Sequence, residues 1–325
     1  MYREKNIVSL ERDSIVSGGH TTVVTDLSAI ADKHNGQIKG QILGEGLTYR
    51  ALGENRELRD AVLKDINNGE VVEIQHNRDP VVIVGGVANY GHFMFEFLPK
   101  IVEALSLFGT RYSFVVSERL ARWLNLANLI SYSLTRSLPR YIVVPDSSRI
   151  KISNCILIES TRARRLQYIY SRSNLCAIRN SAGNGMLDAD LPRKLYLRRS
   201  DNGWRNISNS QSVRSLCESK GYVIIEMGKL RQRDQIRLLA NCEEVVVEAG
   251  ADSMAPSLCR EGCSIIELMP KGMVAGFGSI SSQFALGHKY TRIIGNKTDI
   301  NYGRLPIDSD YNISEDELMS CIGQQ

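Results

Sequence analysis

The chain of 325 residues lacks the sequence features of a secreted, zinc-binding or membrane-spanning protein. Its seven cysteines are an odd number with one short spacing, Cys259 and Cys263, so they do not form the framework of a disulfide-rich domain. The five histidines lie away from the cysteines, and no zinc pattern appears. No run of about 18 apolar residues occurs, and the charged N-terminus lacks the apolar stretch of a signal peptide. These absences favour a soluble, cytoplasmic protein with reduced thiols.

A strong excess of one charge is also missing. The chain has 40 Lys and Arg residues against 36 Asp and Glu residues, a formal net charge of +4. This balance does not call for nucleic acid as a partner. With 43% hydrophobic and 23% charged residues, the composition is that of a globular protein. The length allows two domains of ordinary size.

Short apolar runs alternate with helical patterns in both halves of the chain. In the first half, strands are predicted within 69–88 and at 114–116, 142–145 and 152–160, with helices near 89–107 and 117–131. In the second half, strands are predicted at 194–199, 222–227, 244–250 and 263–269, with helices at 209–221, 230–242 and 254–260 and a docking helix near 313–322. This alternation predicts an α/β fold with parallel sheets. We expect two Rossmann-like domains, residues 1–170 and 193–325, joined by a linker at 171–192.

The turn after the predicted strand 244–250 is the strongest candidate for a ligand site. Gly250, Ala251, Asp252 and Ser253 connect this strand to a short helix. Glycine lets a ligand approach the backbone closely, and the amides of a first helical turn attract an anion. Asp252 or Ser253 would equally serve as an ordinary helix cap. The stretch is not a G-x-G-x-x-G fingerprint, which disfavours a nicotinamide oxidoreductase.

Three arginines and one glutamate extend this candidate site. Arg198 and Arg199 end a predicted strand, and Arg205 follows a glycine-containing turn. Guanidinium groups suit a diphosphate, because each offers a planar fork of donors and stays charged. Successive strand side chains point to opposite faces, so Arg198 and Arg199 cannot both reach one ligand. Glu267, expected at the tip of another buried strand, is a candidate for binding two ribose hydroxyls or an ordinary edge charge.

The stretch N-Y-G-H-F-M-F-E-F-L-P at 89–99 places His92 and Glu96 four residues apart on a predicted helix. At this spacing the carboxylate can orient the imidazole and raise its basicity, as a general base requires. A buried pair with a purely structural role is the competing interpretation. Because the helix follows a strand that ends in Gly85-Gly86, we expect its first turn at the ligand-binding edge of the sheet.

Together these stretches resemble glycosyltransferase family 61. The first half is similar to the family signature N-Y-x-H-x-x-x-E-x-L-P-(R/K), here Asn89, Tyr90, His92, Glu96, Leu98, Pro99 and Lys100. The second half is similar to the family's K-x-Y-x-x-R-R strand and its later A-x-x-L-G-x-x-Y segment, here Lys194, Tyr196, Arg198, Arg199, the following Arg205 and residues 284–290. Where the family has P-H-G-A-G, this chain has Glu248, Ala249, Gly250, Ala251 and Asp252.

The resemblance implies a GT-B fold, in which two Rossmann-like domains face each other, and an inverting transfer from a nucleotide sugar to a glycan or lipid-linked glycan. The C-terminal domain would hold the nucleotide, with Arg198, Arg199, Arg205, the 250–253 turn and Glu267 on the donor side. The N-terminal domain would hold the acceptor, with Asn89 and Tyr90 in its cleft, His92 as base and Glu96 as its support.

We expect no metal and no other cofactor, because the D-x-D sequence at 188–190 lies in the predicted linker. Polysaccharide biosynthesis, such as that of a capsule, is the expected setting. A peripheral membrane contact through the basic helix near 117–131 and a homodimer both stay open. Asp252, in place of a family glycine, supports an alternative function. The chain would then be a catalytically silent GT-B protein that acts as a partner or scaffold in a glycan-assembly complex.

Overall fold

The structure is a computed structural model with two compact units, residues 1–162 and 163–325. It describes residues 8–17, 22–24, 40–42, 71–74, 80–85, 90–145, 149–158, 162–163, 167–168, 172–183, 188–200, 205–273, 286–298 and 309–323. Each unit contains a sheet with parallel strands and helices, so the predicted α/β class is confirmed. Within these residues, no helix combines the length and the apolar character needed to cross a membrane.

The described strands of the first unit form one mixed sheet. They are β1 (Val8–Ser17), β2 (Thr22–Val24), β3 (Gly40–Ile42), β4 (Val71–Ile74), β5 (Val81–Gly85), β6 (Phe114–Ser117), β7 (Tyr141–Val144) and β8 (Arg149–Ile158). The order is β3-β2-β1-β8-β5-β6-β7, and β4 also pairs with β8. Strands β8, β5, β6 and β7 run parallel, whereas β1, β2 and β3 pair antiparallel. Two further short strands, β9 (Arg162–Ala163) and β10 (Gln167–Tyr168), pair with each other.

Helix α1 follows β5 and has three parts, the α-helical turn Tyr90–His92, a π-helical stretch Phe93–Phe97 and the α-helix Leu98–Phe108. It ends at Gly109, whose φ of 61° is the left-handed conformation that favours glycine after a helix. A 3₁₀-helix, Glu118–Trp123, and helix α2 (Leu124–Thr135) lie between β6 and β7. The predicted helices near 89–107 and 117–131 are therefore confirmed, with 3₁₀ and π geometry that the sequence did not show.

The second unit is a doubly wound sheet. Its strands are β11 (Lys194–Leu197), β12 (Val223–Ile225), β13 (Glu244–Glu248), β14 (Ser264–Pro270), β15 (Lys289–Lys297) and β16 (Tyr311–Asn312). The order is β12-β11-β13-β14-β15-β16, and only the last pair, among the described strands, is antiparallel. The chain moves outward from β11 to β12 and then returns to β13, as in flavodoxin-like sheets. The carboxyl ends of β11 and β13 therefore form the switch point, where such sheets bind ligands.

Helices pack on this sheet from both sides. They are α3 (Arg172–Gly183), α4 (Ser210–Ser219), α5 (Gln232–Asn241), α6 (Glu315–Gly323) and the 3₁₀-helices Met227–Lys229 and Ala251–Leu258. Helices α4 and α6 cover a core built around Tyr196, Val246 and Tyr311. Ser314 Oγ accepts a 3.3 Å hydrogen bond from the Glu317 N–H, which confirms the predicted cap of the C-terminal helix. Helix α3 lies in the second unit, within residues that the sequence assigned to a linker.

Gly295 in β15 is a position where a side chain would collide with its neighbours. A Cβ atom there would lie 2.4 Å from Tyr311 Cδ2 and 2.6 Å from the carbonyl oxygen of Asn312. We expect Gly295→Ala to lower the free energy of unfolding by about 1–3 kcal/mol, as measured by urea titration. Gly228→Ala is the control, because a Cβ at Gly228 meets nothing within 4 Å. Equal stability of the two variants would contradict the pairing of β15 with β16.

Candidate functional site

The carboxylate of Glu248 is the centre of a polar cluster at the switch point. Glu248 is the last residue of β13 and is buried. The Tyr196 hydroxyl on β11 donates a 2.5 Å hydrogen bond to it, and the Arg199 backbone N–H donates one of 3.0 Å. Burial raises the pKa of Glu248 above its ordinary value, while both donors and the charges of Arg198 and Arg199 oppose this shift. The carboxylate therefore ties the carboxyl ends of β11 and β13 together.

The Arg199 side chain lies across the turn that follows β13. Its Nη1 atom donates a 3.0 Å hydrogen bond to the carbonyl oxygen of Ala249. A Cβ atom at Gly250 would be 3.0 Å from Arg199 Nε and 3.1 Å from Arg199 Cδ. Gly250 has an extended backbone, with φ of 162°, so glycine is needed here for the space it leaves. The absence of a side chain at Gly250 thus lets a positive charge lie over the start of the next helix.

The turn itself uses two of the four amides that the sequence assigns to an anion. The Gly250 N–H donates to Ser253 Oγ at 3.0 Å, and the Ser253 N–H donates to the Gly250 carbonyl oxygen at 3.2 Å. Ala251 and Asp252, the first residues of the 3₁₀-helix Ala251–Leu258, carry the other two amides. Burial raises the pKa of the Asp252 carboxyl, and the charge of Arg199 opposes that shift. A carboxyl group and a guanidinium therefore share this turn.

Arg205 reaches the same region from another segment of the chain. Its φ of 55° lies in the left-handed region, and the N–H of Asn206 donates a 2.7 Å hydrogen bond to Asp310 Oδ1. Burial raises the pKa of Tyr311, and the charges of Arg199 and Arg205 both oppose this shift. Both guanidinium groups thus act electrostatically on the same buried tyrosine. Their joint contact with a diphosphate stays a prediction.

Arg198 belongs to a separate group of ion pairs beside β12. Its Nη1 atom lies 3.2 Å from Glu226 Oε1, and Lys229 Nζ lies 2.9 Å from Glu226 Oε2. The hydrogen bond from Lys229 is the main reason that the pKa of Glu226 is lowered. Strand alternation thus separates two neighbouring arginines. Arg198 is engaged with Glu226, and Arg199 lies at the switch point.

Glu267 lies in the middle of β14, so the expectation that it stands at a strand tip is wrong. The strand continues through Leu268 and Met269 to Pro270. The Tyr290 hydroxyl donates to the buried Glu267 carboxylate, and Arg292 Nε lies 3.8 Å from it. Tyr290 and Arg292 thus engage the Glu267 carboxylate, and its contact with a ribose stays a prediction.

The predicted His92 and Glu96 pair lies in α1, directly after β5. His92 ends the first α-helical turn, and Glu96 lies in the π-helical stretch Phe93–Phe97. Short π-helical stretches are rare in proteins overall, and those that occur are often found at functional sites. The stretch also changes the α-helical spacing on which the prediction of a side-by-side pair rests. The side chains of His92 and Glu96, and all of Asn89, lie outside the described residues, so the pair stays a prediction.

Tyr90 joins a group of aromatic side chains at the start of α1. Its ring centroid lies 6.2 Å from that of Trp123, and the Phe93 and Trp123 rings stack at 5.4 Å. Phe93 is fully buried, whereas Tyr90 and Trp123 are partly buried. These contacts fix the first turn of α1 against the 3₁₀-helix that ends in Trp123. The predicted role of Tyr90 on the acceptor side stays a prediction.

The D-x-D sequence at 188–190 is engaged with helix α5. Asp188 accepts hydrogen bonds from the Arg237 side chain and, at 3.0 Å, from the Asp190 N–H. The amide of Asp190 and then Arg237 lower the pKa of Asp188. Asp188 therefore anchors the segment before β11 to the helix.

Sequence reasoning overlooked Glu248 and Tyr196 as parts of the site. Each belongs to an apolar strand, and the two strands are neighbours only in the folded sheet. An acidic residue that closes an otherwise apolar, buried strand is the signal that would have found Glu248, since a buried carboxylate needs donors. Tyr196, on the next strand, supplies one of them.

Residues 90–266 match the family model described as Glycosyltransferase 61, and the chain belongs to this family of glycosyltransferases. The match begins at Tyr90 in α1 and ends within β14, so it spans parts of both units. It includes His92, Glu96 and the switch-point turn. It leaves out Glu267, which directly follows the last matched residue.

A search of curated proteins returns no match. Among solved structures, the chain is similar to E. coli heptosyltransferase WaaC with ADP, with a TM-score of 0.34 and 10% sequence identity. The alignment covers 66% of this chain and 92% of that chain. At this TM-score the likeness adds nothing to the fold, which rests on the strand order.

Proposed function

We propose that the protein transfers a sugar, with inversion, from a nucleoside diphosphate sugar to a hydroxyl group of a glycan or lipid-linked glycan. The donor binds at the switch point of the second unit. The observation that carries this proposal is the Arg199 guanidinium, held across the Gly250 turn at the carboxyl ends of β11 and β13. Family membership supports the reaction class. The GT-B arrangement and a role in polysaccharide biosynthesis, such as that of a capsule, belong to the same proposal.

The diphosphate leaving group explains the positive charge at this turn. As the bond to the sugar breaks, negative charge grows on the diphosphate, and fixed cations and amides stabilise it. Arg199 and Arg205 would supply the cations, and the first amides of the 3₁₀-helix, those of Ala251 and Asp252, would supply further donors, as at other anion-binding helix starts. Glu248 holds the backbone of Arg199 by a 3.0 Å hydrogen bond, which positions that guanidinium.

Asp252 has a different role in this proposal, because a carboxylate repels a diphosphate. Its pKa is raised by burial, and Arg199 lies near enough to oppose that shift. Hydroxyl groups of the donor sugar are good donors to a carboxylate, and they lie beyond the diphosphate in every nucleotide sugar. We therefore place Asp252 against the sugar, where it would contribute to the choice of donor.

The acceptor side of the reaction belongs to α1. His92, oriented by Glu96, takes the proton of the acceptor hydroxyl as its oxygen attacks the anomeric carbon. The bond from that carbon to the diphosphate oxygen breaks in the same step, and the diphosphate leaves with the bonding electron pair. Direct attack from the opposite side inverts the anomeric carbon. Neither a metal nor another cofactor takes part in this scheme.

A screen of nucleotide sugars tests the proposal. One nucleoside diphosphate is expected to raise the thermal midpoint, since a ligand at 100 times its Kd stabilises by about 2.7 kcal/mol. Its sugar conjugate is then expected to be hydrolysed slowly when no acceptor is present. If no nucleotide changes the midpoint, the proposal fails. The catalytically silent partner or scaffold, which Asp252 supports, would then be favoured.

A further inference from the structure

Three buried cysteines converge at the opposite, amino-terminal edge of the second sheet. Cys242 follows α5, Cys259 follows the 3₁₀-helix Ala251–Leu258, and Cys263 precedes β14. Their Sγ atoms all lie within 4.8 Å of one another, and each residue is at most 1% exposed. The sequence predicts no metal-binding pattern for these cysteines, and this geometry is the reason to propose one below. Cys242 is distant in the sequence from Cys259 and Cys263, and the fold brings the three side chains together.

The dimensions and chemistry of this cluster suit a zinc ion. With a Zn–S bond of about 2.3 Å, two sulfur ligands of a tetrahedral ion are about 3.8 Å apart. This separation falls within the 4.8 Å limit that the three Sγ atoms satisfy. The three residues are free thiols, with no disulfide among them. A thiolate is the form that binds metals.

The backbone of His288 lies next to that of Cys263, although its ring nitrogens are not among the ligand atoms that lie within 4.8 Å of one another. Lys289 pairs with Ser264, and the Lys289 N–H donates a 3.0 Å hydrogen bond to the carbonyl oxygen of Cys263, so His288 neighbours Cys263. The imidazole is buried, and neither ring nitrogen has a hydrogen-bond partner in the part of the chain that the structure describes. A neutral imidazole is a common metal ligand.

We propose that Cys242, Cys259 and Cys263 bind one Zn²⁺ ion and that His288 rotates to supply the fourth ligand. Three protein sulfurs and one imidazole complete a tetrahedral shell with no position for substrate, so the site is structural. The three Zn–S bonds form as the thiol protons leave to solvent. The ion ties the ends of α5 and the 3₁₀-helix to the start of β14.

This role differs from that of the candidate donor site. The 3₁₀-helix carries the Gly250 turn at one end and Cys259 at the other. Its eight residues span about 16 Å at 3₁₀ rise, so the ion does not touch the nucleotide. The zinc proposal is tested independently of the transferase proposal, because zinc binding is measured without any sugar donor.

Metal analysis of the whole chain, purified without chelators and supplied with zinc, tests the site. We expect one zinc per chain in the wild type and in Cys217→Ser, which removes a buried thiol outside the cluster. In Cys259→Ser and Cys263→Ser, we expect zinc to be lost to a chelator that the wild type withstands. Equal zinc retention in the wild type and both cluster variants would overturn the proposal.

Cobalt titration of the wild type keeps the test decisive if a cysteine variant does not fold. Co²⁺ in a tetrahedral thiolate site gives sulfur-to-cobalt charge-transfer bands and strong visible bands. We expect these bands to saturate at one Co²⁺ per chain and to change in His288→Gln. A wild-type titration without charge-transfer bands overturns the metal site. An unchanged spectrum in His288→Gln overturns the assignment of the fourth ligand.

Discussion

Replacing His92 with alanine is expected to lower turnover by about 10²- to 10⁴-fold, because a general base in the transition state contributes that much. The measurement is the initial rate with the nucleotide sugar that the donor screen identifies. Transfer to a glycan and hydrolysis by water both need the proton of the attacking hydroxyl removed, so both rates should fall. Glu96→Gln should lower the rate less, since the imidazole keeps its place but loses its charged partner.

Glu103→Gln is the control for the His92 variant. Glu103 lies on the same helix, α1, in its α-helical part, and is partly buried. It does not belong to the predicted catalytic pair, so its variant should retain the wild-type rate. A near-normal rate in His92→Ala, with the same donor and a folded protein, would contradict the assignment of the base.

Tyr196→Phe is expected to lower the free energy of unfolding by about 1.5–3 kcal/mol, as for other hydrogen bonds to charged groups. The substitution removes the hydroxyl that donates a 2.5 Å hydrogen bond to the buried Glu248 carboxylate and leaves the ring in place. Urea titration at constant pH measures the change. Without this donor, burial should raise the pKa of Glu248 further above its ordinary value.

That shift gives the Tyr196 variant a pH signature. A carboxyl whose pKa is raised by folding stabilises the protein at low pH, and this contribution is lost as pH rises through the folded pKa. The variant should therefore approach the wild type in stability as pH falls and diverge from it as pH rises. Tyr222→Phe is the matched control, because its partner Glu244 also lies 3.0 Å from Lys194 Nζ and is more exposed. A loss in Tyr222→Phe as large as that in Tyr196→Phe would contradict the special position of Glu248.

The sheet of the second unit was largely predictable from the sequence. Its central strands, of four to seven residues, each contain runs of two or three apolar side chains next to charged or polar ones, and the helices between them are amphipathic. Short apolar runs of this kind are typical of buried parallel strands. The placement of Glu267 failed for a related reason. The apolar residues Leu268 and Met269 extend β14 past the acid, and a single charge inside a strand does not mark its end.

The candidate site was predictable only in the parts that are formed by residues close together in the sequence. The turn from Gly250 to Ser253 is local, and so is the separation of Arg198 from Arg199. Glu226 distinguishes the two arginines. It directly follows β12 and pairs with Arg198 at 3.2 Å, so that Arg199 is the arginine at the turn.

Side chains that become neighbours only through the order of the strands in the sheet were not predicted. Tyr196 meets Glu248 across β11 and β13. Cys242 meets Cys259 and Cys263 because a helix end, a 3₁₀-helix end and a strand start coincide at one edge. Patterns along the chain give each element but not the register that brings such groups together.

Calorimetric titration of the wild type, Arg199→Ala and Arg198→Ala with the nucleoside diphosphate found in the screen tests the central claim most directly. A charge-assisted hydrogen bond to a phosphate contributes about 1.5–3 kcal/mol, so Arg199→Ala should raise Kd by about 10- to 150-fold. Arg198→Ala removes an equal charge one residue away and should leave Kd close to that of the wild type. Equal values of Kd in the wild type and Arg199→Ala, or a larger loss in Arg198→Ala, would contradict a donor site at the switch point.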